Sequence, residues 1–275
     1  MKGRFALVGV TLAALAVRLW ALDGLGFSYD EAATALMARA TAAEIVRFHW
    51  SAAFEHPPLW QLLVHNWSAV AGQSEIALRL LSALAGTLAV PLIYQLSRSL
   101  FPRENSVALV SAVLAAFLPI LNYYSQEARM YAVVLVLALA SMLAFLHLLR
   151  APRGAYAALV VTLNWVMTGF HYYAVLLIGA QLAFLSLLLL TRADLRPRWW
   201  LKAGALLLSL IPLGLWMALA PGFRSTLTVV MATAGSDAAP WTATVAELWQ
   251  DLTVSSIRWA PAWVWIGYTW LLLLV

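Results

Sequence analysis

The sequence predicts an all-α polytopic membrane protein, on three observations. The 275 residues are 64% hydrophobic and only 11% charged, less than half of the roughly 25% charge of a soluble domain. The apolar residues come in long runs, several close to the ~20 residues that a spanning helix needs. The basic residues fall in short clusters between those runs, as positive-inside anchors do. That scatter excludes nucleic-acid binding as the meaning of a pI near 9.7. Cysteine is absent, which excludes disulfides, thiolate catalysis and cysteine metal sites.

The first predicted span covers residues 5–22, behind Lys2 and Arg4. With no small-residue cleavage site before Asp30, it reads as a retained anchor rather than a signal peptide. Arg18, near its far end, is expected to snorkel or to pair with the carboxylates beyond. A first outer loop follows over 23–75. Within it, residues 31–50 interleave Ala35, Leu36, Ile45, Val46 and Phe48 with Arg39, Glu44 and Arg47, the pattern of one amphipathic helix lying in the interface. Pro57-Pro58 opens a short helix to about residue 71, whose Trp60 and Trp67 suit interfacial depth.

That short helix decides the topology, because its 14 residues are too few to span comfortably. Lying flat, it leaves spans at 76–100, 106–121, 130–149, 155–169, 172–190, 201–221 and a last one from 262, with a later outer loop over 222–261. The inner side then holds ten bases against two acids, and the outer side seven bases against ten acids. Making the short helix a span would put the clusters at 150–153 and 192–202 outside, against the positive-inside rule. The expectation is a single domain over 1–275 in the plasma membrane, with the N-terminus inside. The apolar run from Trp270 to Val275 stops with no flank, so the chain is read as a C-terminally truncated piece of a longer protein.

This topology brings four polar clusters to the outer face. Asp30-Glu31 can supply a general base, with Glu31 orienting it, holding a sugar hydroxyl or sharing a cation. The same residues also make a helix N-cap with an acidic first turn. At Glu55-His56, the two prolines that follow hold both side chains in extended geometry at a helix start, where an anion is favoured. His56 could meet a phosphate or pair with Glu55, or the turn could simply face water. In Gln126-Glu127-Ala128-Arg129, the arginine fork suits a lipid-linked phosphate, and a Glu127–Arg129 pair is the plain alternative. His171, with Tyr172 and Tyr173, reads as site-lining or as an interfacial anchor. Asn164, His65 and Asn66 read as helix hydrogen-bonding groups without a further role.

Tyr29-Asp30-Glu31-Ala32, Glu55-His56-Pro57-Pro58-Leu59, the stretch from Ser74 through Arg79 to Gly86, and Tyr124-Ser125-Gln126-Glu127-Ala128-Arg129-Met130-Tyr131 match one pattern in order and spacing. Together they resemble glycosyltransferase family 39, the dolichyl-phosphate-mannose protein mannosyltransferase superfamily. The bacterial branch includes the aminoarabinose transferases and the rhizobial lipopolysaccharide transferases. The resemblance covers roughly residues 15–190. It implies the GT-C fold, with interfacial helices and the catalytic acid in the first outer loop. It also implies inverting transfer of a sugar from a polyprenyl-phosphate donor to a lipid, glycan or protein acceptor on the outer face. By that resemblance Asp30 is the base with Glu31 beside it, and Arg129 and His56 bind the donor phosphate. Glu55, Glu127, His171 and Tyr172 line the site. Histidine stands at 56 where some relatives carry lysine, and Tyr131 where the aminoarabinose branch tends to have aspartate.

No cofactor is required by this reading, although Glu55, Glu127 and His171 could hold a divalent metal. Its rivals are a secondary transporter, an O-antigen-ligase-like transferase of preassembled lipid-linked glycans, and a non-catalytic scaffold. A transporter would carry ionisable residues near mid-membrane and repeated halves.

Overall fold

The computed structural model describes residues 2–52 and 56–225, and among these it is helical without a strand. Twelve α-helices run in order: α1 (Lys2–Leu19), α2 (Tyr29–Met37), α3 (Ala42–Ser51), α4 (Leu59–Ala71), α5 (Glu75–Leu100), α6 (Asn105–Phe117), α7 (Pro119–Ser125), α8 (Tyr131–Arg150), α9 (Gly154–Phe170), α10 (Ala174–Thr191), α11 (Trp199–Leu208) and α12 (Ile211–Leu219). Among the described residues, four stretches are long and apolar enough to cross a membrane by themselves: α5, α8, α10 and the run Trp199–Leu219. The pair α6 and α7, bent by 54°, makes a fifth; Phe5–Leu19 and Gly154–Phe170 are shorter apolar helices. The protein is thus an all-α, multi-pass membrane protein. The expected loop over 222–261 (from 226 onward) and the span from 262 lie outside the described residues.

Two prolines break helices, and each break is mended by a neighbour. Proline has no N–H, so the carbonyl four residues before it loses its helical donor. Before Pro119 that carbonyl belongs to Ala115, and Arg18 of α1 donates Nη2 to it at 3.0 Å and Nη1 to the Ala116 carbonyl at 3.1 Å. Before Pro212 it belongs to Leu208, which accepts from Trp165 Nε1 of α9 at 2.9 Å. In a bilayer such carbonyls have no water to turn to, so a neighbouring helix must serve them. Arg18 therefore does not snorkel. It is buried and holds the broken end of α6. Gly86 of α5 makes room for this arrangement: a Cβ there would overlap Ser125 Oγ and lie 3.0 Å from Arg18 Nε.

A second polar knot lies inside the bundle. Ser141 donates to Asn164 Oδ1 at 2.6 Å, Asn164 Nδ2 to Gln181 Oε1 at 3.1 Å and to Ser209 Oγ at 3.3 Å, and Gln181 Nε2 back to Ser141 Oγ at 3.0 Å. Each comes from a different helix, from α8 to α11 with Ser209 at the end of the last, and all are buried. The hydroxyls and amides satisfy one another, so this is a structural clasp, and Asn164 is the hydrogen-bonding group expected.

The basic loops share one end of the bundle. Arg150 donates to the Ser99 carbonyl and Arg198 to that of Pro152, which ties the loops around 98–105, 150–153 and 192–198 together. At the opposite end, Gln126 donates to the Trp20 carbonyl at 2.9 Å and Trp216 to Tyr172.

Two expectations about the first long loop need correction. Residues 31–50 form two helices, because Thr41 starts α3 with its own capping box: its hydroxyl accepts from the Glu44 N–H while Glu44 accepts from the Thr41 N–H. The tryptophans of α4 also turn inward. Trp60 is buried with Val64, Leu78, Ala128, Met130 and Phe170, and Trp67 donates to the Ala77 carbonyl at 2.7 Å. This apolar cluster is the floor on which the polar end is built.

Candidate active site

Ser28 caps α2 and closes a capping box with Glu31. Successive helical residues do not share a face, so Asp30 and Glu31 point apart.

Glu31 points into the protein and is 2% exposed. Its Oε1 accepts from Arg79 Nε at 2.8 Å and from the Ala128 N–H at 2.9 Å; its Oε2 accepts from Arg79 Nη2 at 2.9 Å and the Ser28 N–H at 3.0 Å. Burial alone would raise the pKa of this carboxyl. The Arg79 pair and the two backbone donors outweigh it and hold the group below its ordinary value. Arg79, from the first turns of α5, also donates to the carbonyls of Leu22, Leu25 and Gly26. One carboxylate and one guanidinium thus fasten together the start of the first long loop, α2, α5 and the segment before α8. With four donors on two oxygens, Glu31 has no capacity left for a sugar hydroxyl or a cation. It is a positioning residue.

Asp30 points outward and its side chain is 60% exposed. It forms an ion pair with Arg129, whose side chain is 11% exposed. Arg129 is fixed from several sides. Its carbonyl accepts from Ser82 Oγ at 3.0 Å, its neighbour Ala128 is held by Glu31, and its Nη2 donates to Tyr131 Oη at 3.1 Å. Burial works against the guanidinium charge, but Tyr131 and Asp30 outweigh that and raise its pKa. Arg129, for which a pair with Glu127 was the plain alternative, forms its ion pair across the fold with Asp30. Glu127 is half-buried and contributes to the field at Arg79.

His56 and His171 complete the cluster. Their rings lie 4.7 Å apart, and His171 is 5.9 Å from the ring of Tyr131, which in turn is 4.6 Å from Tyr124. Burial, then His171 and Arg129, lower the pKa of His56 to about 4, with Asp30 opposing. Burial and Arg129 lower that of His171 as well. At neutral pH both are uncharged, so His56 meets a ligand as a neutral hydrogen-bonding ring rather than as the cation lysine would be.

Tyr172 departs from its expected place. Its hydroxyl accepts from Trp216 Nε1 at 3.0 Å and its ring meets Phe223 edge-on, so it anchors α12. Burial raises its phenol pKa, with the Trp216 bond opposing. Glu55 lies outside the described residues. Among the described residues no three acidic or histidine side chains gather closely enough to hold a metal ion.

The sequence reading gave no role to Arg79 or Tyr131. Arg79 carried a usable signal: it is a charge five residues into a 26-residue apolar helix, and such a charge in a span is by default paired or functional. Tyr131 carried none, since a tyrosine at a helix start near the interface is ordinary.

The multi-pass helical bundle thus gathers an acid, a guanidinium and two neutral imidazoles at one end. The profile of the family described as dolichyl-phosphate-mannose-protein mannosyltransferase matches residues 55–216, more than half of the chain, and the chain belongs to that family. It is a membrane glycosyltransferase of the GT-C type. A search of the curated proteins finds no match.

Proposed function

We propose that the protein moves a sugar from a polyprenyl-phosphate donor to an acceptor hydroxyl on a lipid, glycan or protein. The reaction would take place at the outer face of the plasma membrane, with the N-terminus inside. The observation that carries this reading is the Asp30–Arg129 pair, a base candidate and a phosphate-type cation side by side where the start of α2 meets the segment before α8. The orientation rests on the basic loops, which share the opposite end.

In this scheme Asp30 takes the proton of the acceptor hydroxyl as its oxygen bonds to the anomeric carbon. The bond from that carbon to the phosphate oxygen breaks, and its electron pair leaves with the polyprenyl phosphate. Arg129 meets the charge that develops there, with His56 as a neutral donor. A single displacement inverts the anomeric centre. A divalent metal is optional, because a phosphate already leaves well; Glu55, Glu127 and His171 are its candidate ligands.

The charges of the described spans favour this over transport. Every Asp, Glu, Lys and Arg of the spanning helices lies within five residues of a helix end, while the buried knot at Asn164 is uncharged.

The test compares wild type and Asp30→Asn in membranes given radiolabelled polyprenyl-phosphate sugars. Transfer of label with release of polyprenyl phosphate, lost in a folded Asp30→Asn protein, supports the reading. Unchanged transfer in the variant removes Asp30 as the base. Absence of turnover with every donor, together with solute uptake into vesicles, replaces the transferase by a transporter.

A further inference from the structure

We infer that Asp30 and the donor's phosphate compete for Arg129, so that the ligand-free site keeps its base masked and phosphate binding releases it. The inference rests on the reading of Arg129 as the phosphate's partner and adds an order of events to it.

The geometry identifies which member of the pair is fixed. Arg129 is held by Ser82 through its carbonyl, by Glu31 through the adjoining N–H, and by Tyr131 through its guanidinium. Asp30 is tied only through its backbone: Thr34 Oγ1 donates to its carbonyl at 3.0 Å, and its side chain reaches out, 60% exposed, to the arginine. An anion arriving at Arg129 therefore displaces a mobile carboxylate from a rigid cation. Among the described residues, the other titratable groups facing the pair are the Tyr131 hydroxyl, which accepts from Arg129, and the two imidazoles, and burial keeps both imidazoles uncharged at neutral pH. Neither stands in as a second cation, so phosphate and carboxylate draw on the same guanidinium.

The chemical consequence is an order of binding. While the ion pair stands, Arg129 occupies the carboxylate that would receive the acceptor's proton. Once the donor's phosphodiester anion takes the guanidinium, the carboxylate is released to meet the acceptor hydroxyl. The base is uncovered when a donor is in place and not before.

The competition makes a prediction that a plain base does not: removing the carboxylate tightens phosphate binding. The experiment uses the whole chain in nanodiscs, with a short-chain polyprenyl phosphate lacking a sugar as the probe. The corresponding unphosphorylated alcohol is the control. For a solvent-accessible ion pair the release of competition corresponds to about 1.5- to fivefold tighter binding. Asp30→Asn and Asp30→Ala, each checked for an unchanged unfolding temperature, are both expected to show it. In an Arg129→Gln background the gain should vanish.

Equal or weaker binding by both Asp30 variants, with Arg129→Gln still weakening binding, overturns the competition and leaves Arg129 as the phosphate's partner. Binding unaffected by Arg129→Gln overturns both. The same gain with the unphosphorylated alcohol also overturns the inference, since it would locate the effect in the lipid tail.

Discussion

Glu31→Gln is the substitution that tests the framework most directly. The two side chains have nearly the same shape, so steric effects drop out. What changes is the donor count. The carboxylate accepts four bonds, two at each oxygen, and all four partners are N–H donors between 2.8 and 3.0 Å away. An amide has one oxygen, so whichever way it turns, two of those donors face an NH2 group. Arg79 also loses the charge that balances it, although three loop carbonyls still accept from it. Removing one partner of a buried pair costs about 3–5 kcal/mol, and the retained carbonyls favour the lower end. The assay is equilibrium unfolding of the whole chain in mixed micelles, following tryptophan emission. The double variant Glu31→Gln/Arg79→Met removes both charges and should be destabilised by less than the sum of the singles. A loss below about 1 kcal/mol for Glu31→Gln, or strict additivity in the double variant, would refute the claim that Glu31 holds the frame.

Three further outcomes follow from the same coordinates. Gly86→Ala pushes a methyl group into Ser125 and toward Arg18; a loss of about 1–3 kcal/mol is expected in the same unfolding assay, whereas Gly179→Ala, where a Cβ meets nothing, should be neutral. Asn164→Leu opens the knot between α8 and α11 and should cost about 1–2 kcal/mol without changing donor specificity in the transfer assay. His56 has a folded pKa of about 4, below its ordinary 6.5, so between those values the unfolded chain binds the extra proton. Stability contributed at this position is full above about pH 6.5 and declines as pH falls toward 4. His56→Gln should flatten that part of the melting-temperature profile, and an unchanged slope would contradict the assignment.

The spans were legible because hydropathy is a sum over some twenty residues, and sums are robust to detail. The gathering of Asp30, His56, Arg129 and His171 followed from a coarser argument still, since a parity count of helices places each loop at one end or the other. What could not be read was the division of labour inside a dipeptide. Asp30 and Glu31 have the same chemistry in sequence, and only Arg79, 48 residues further on, makes one structural and leaves the other exposed. The break between α2 and α3 was legible in principle, since Thr41 and Glu44 spell a capping box, but the apolar periodicity ran through it. Arg18 was not legible, because its partners are carbonyls freed by a proline about a hundred residues away.

That last contact bears on how the protein is made. Helices enter a bilayer in the order in which they are synthesised, so α1 is in place long before α6 emerges. When α6 arrives, its broken end presents the carbonyls of Ala115 and Ala116, the second also served by Asn122, and hydrocarbon can solvate neither. The guanidinium that satisfies them has been waiting on the first helix, itself carrying a charge that needs acceptors. Each half is an unfavourable guest in lipid until it meets the other, so the pairing works as a checkpoint in assembly. The N-terminal helix is then more than an address and an anchor. Replacing it with a generic signal anchor of equal hydropathy would preserve insertion and orientation, yet leave the later helices without the partner that lets them settle.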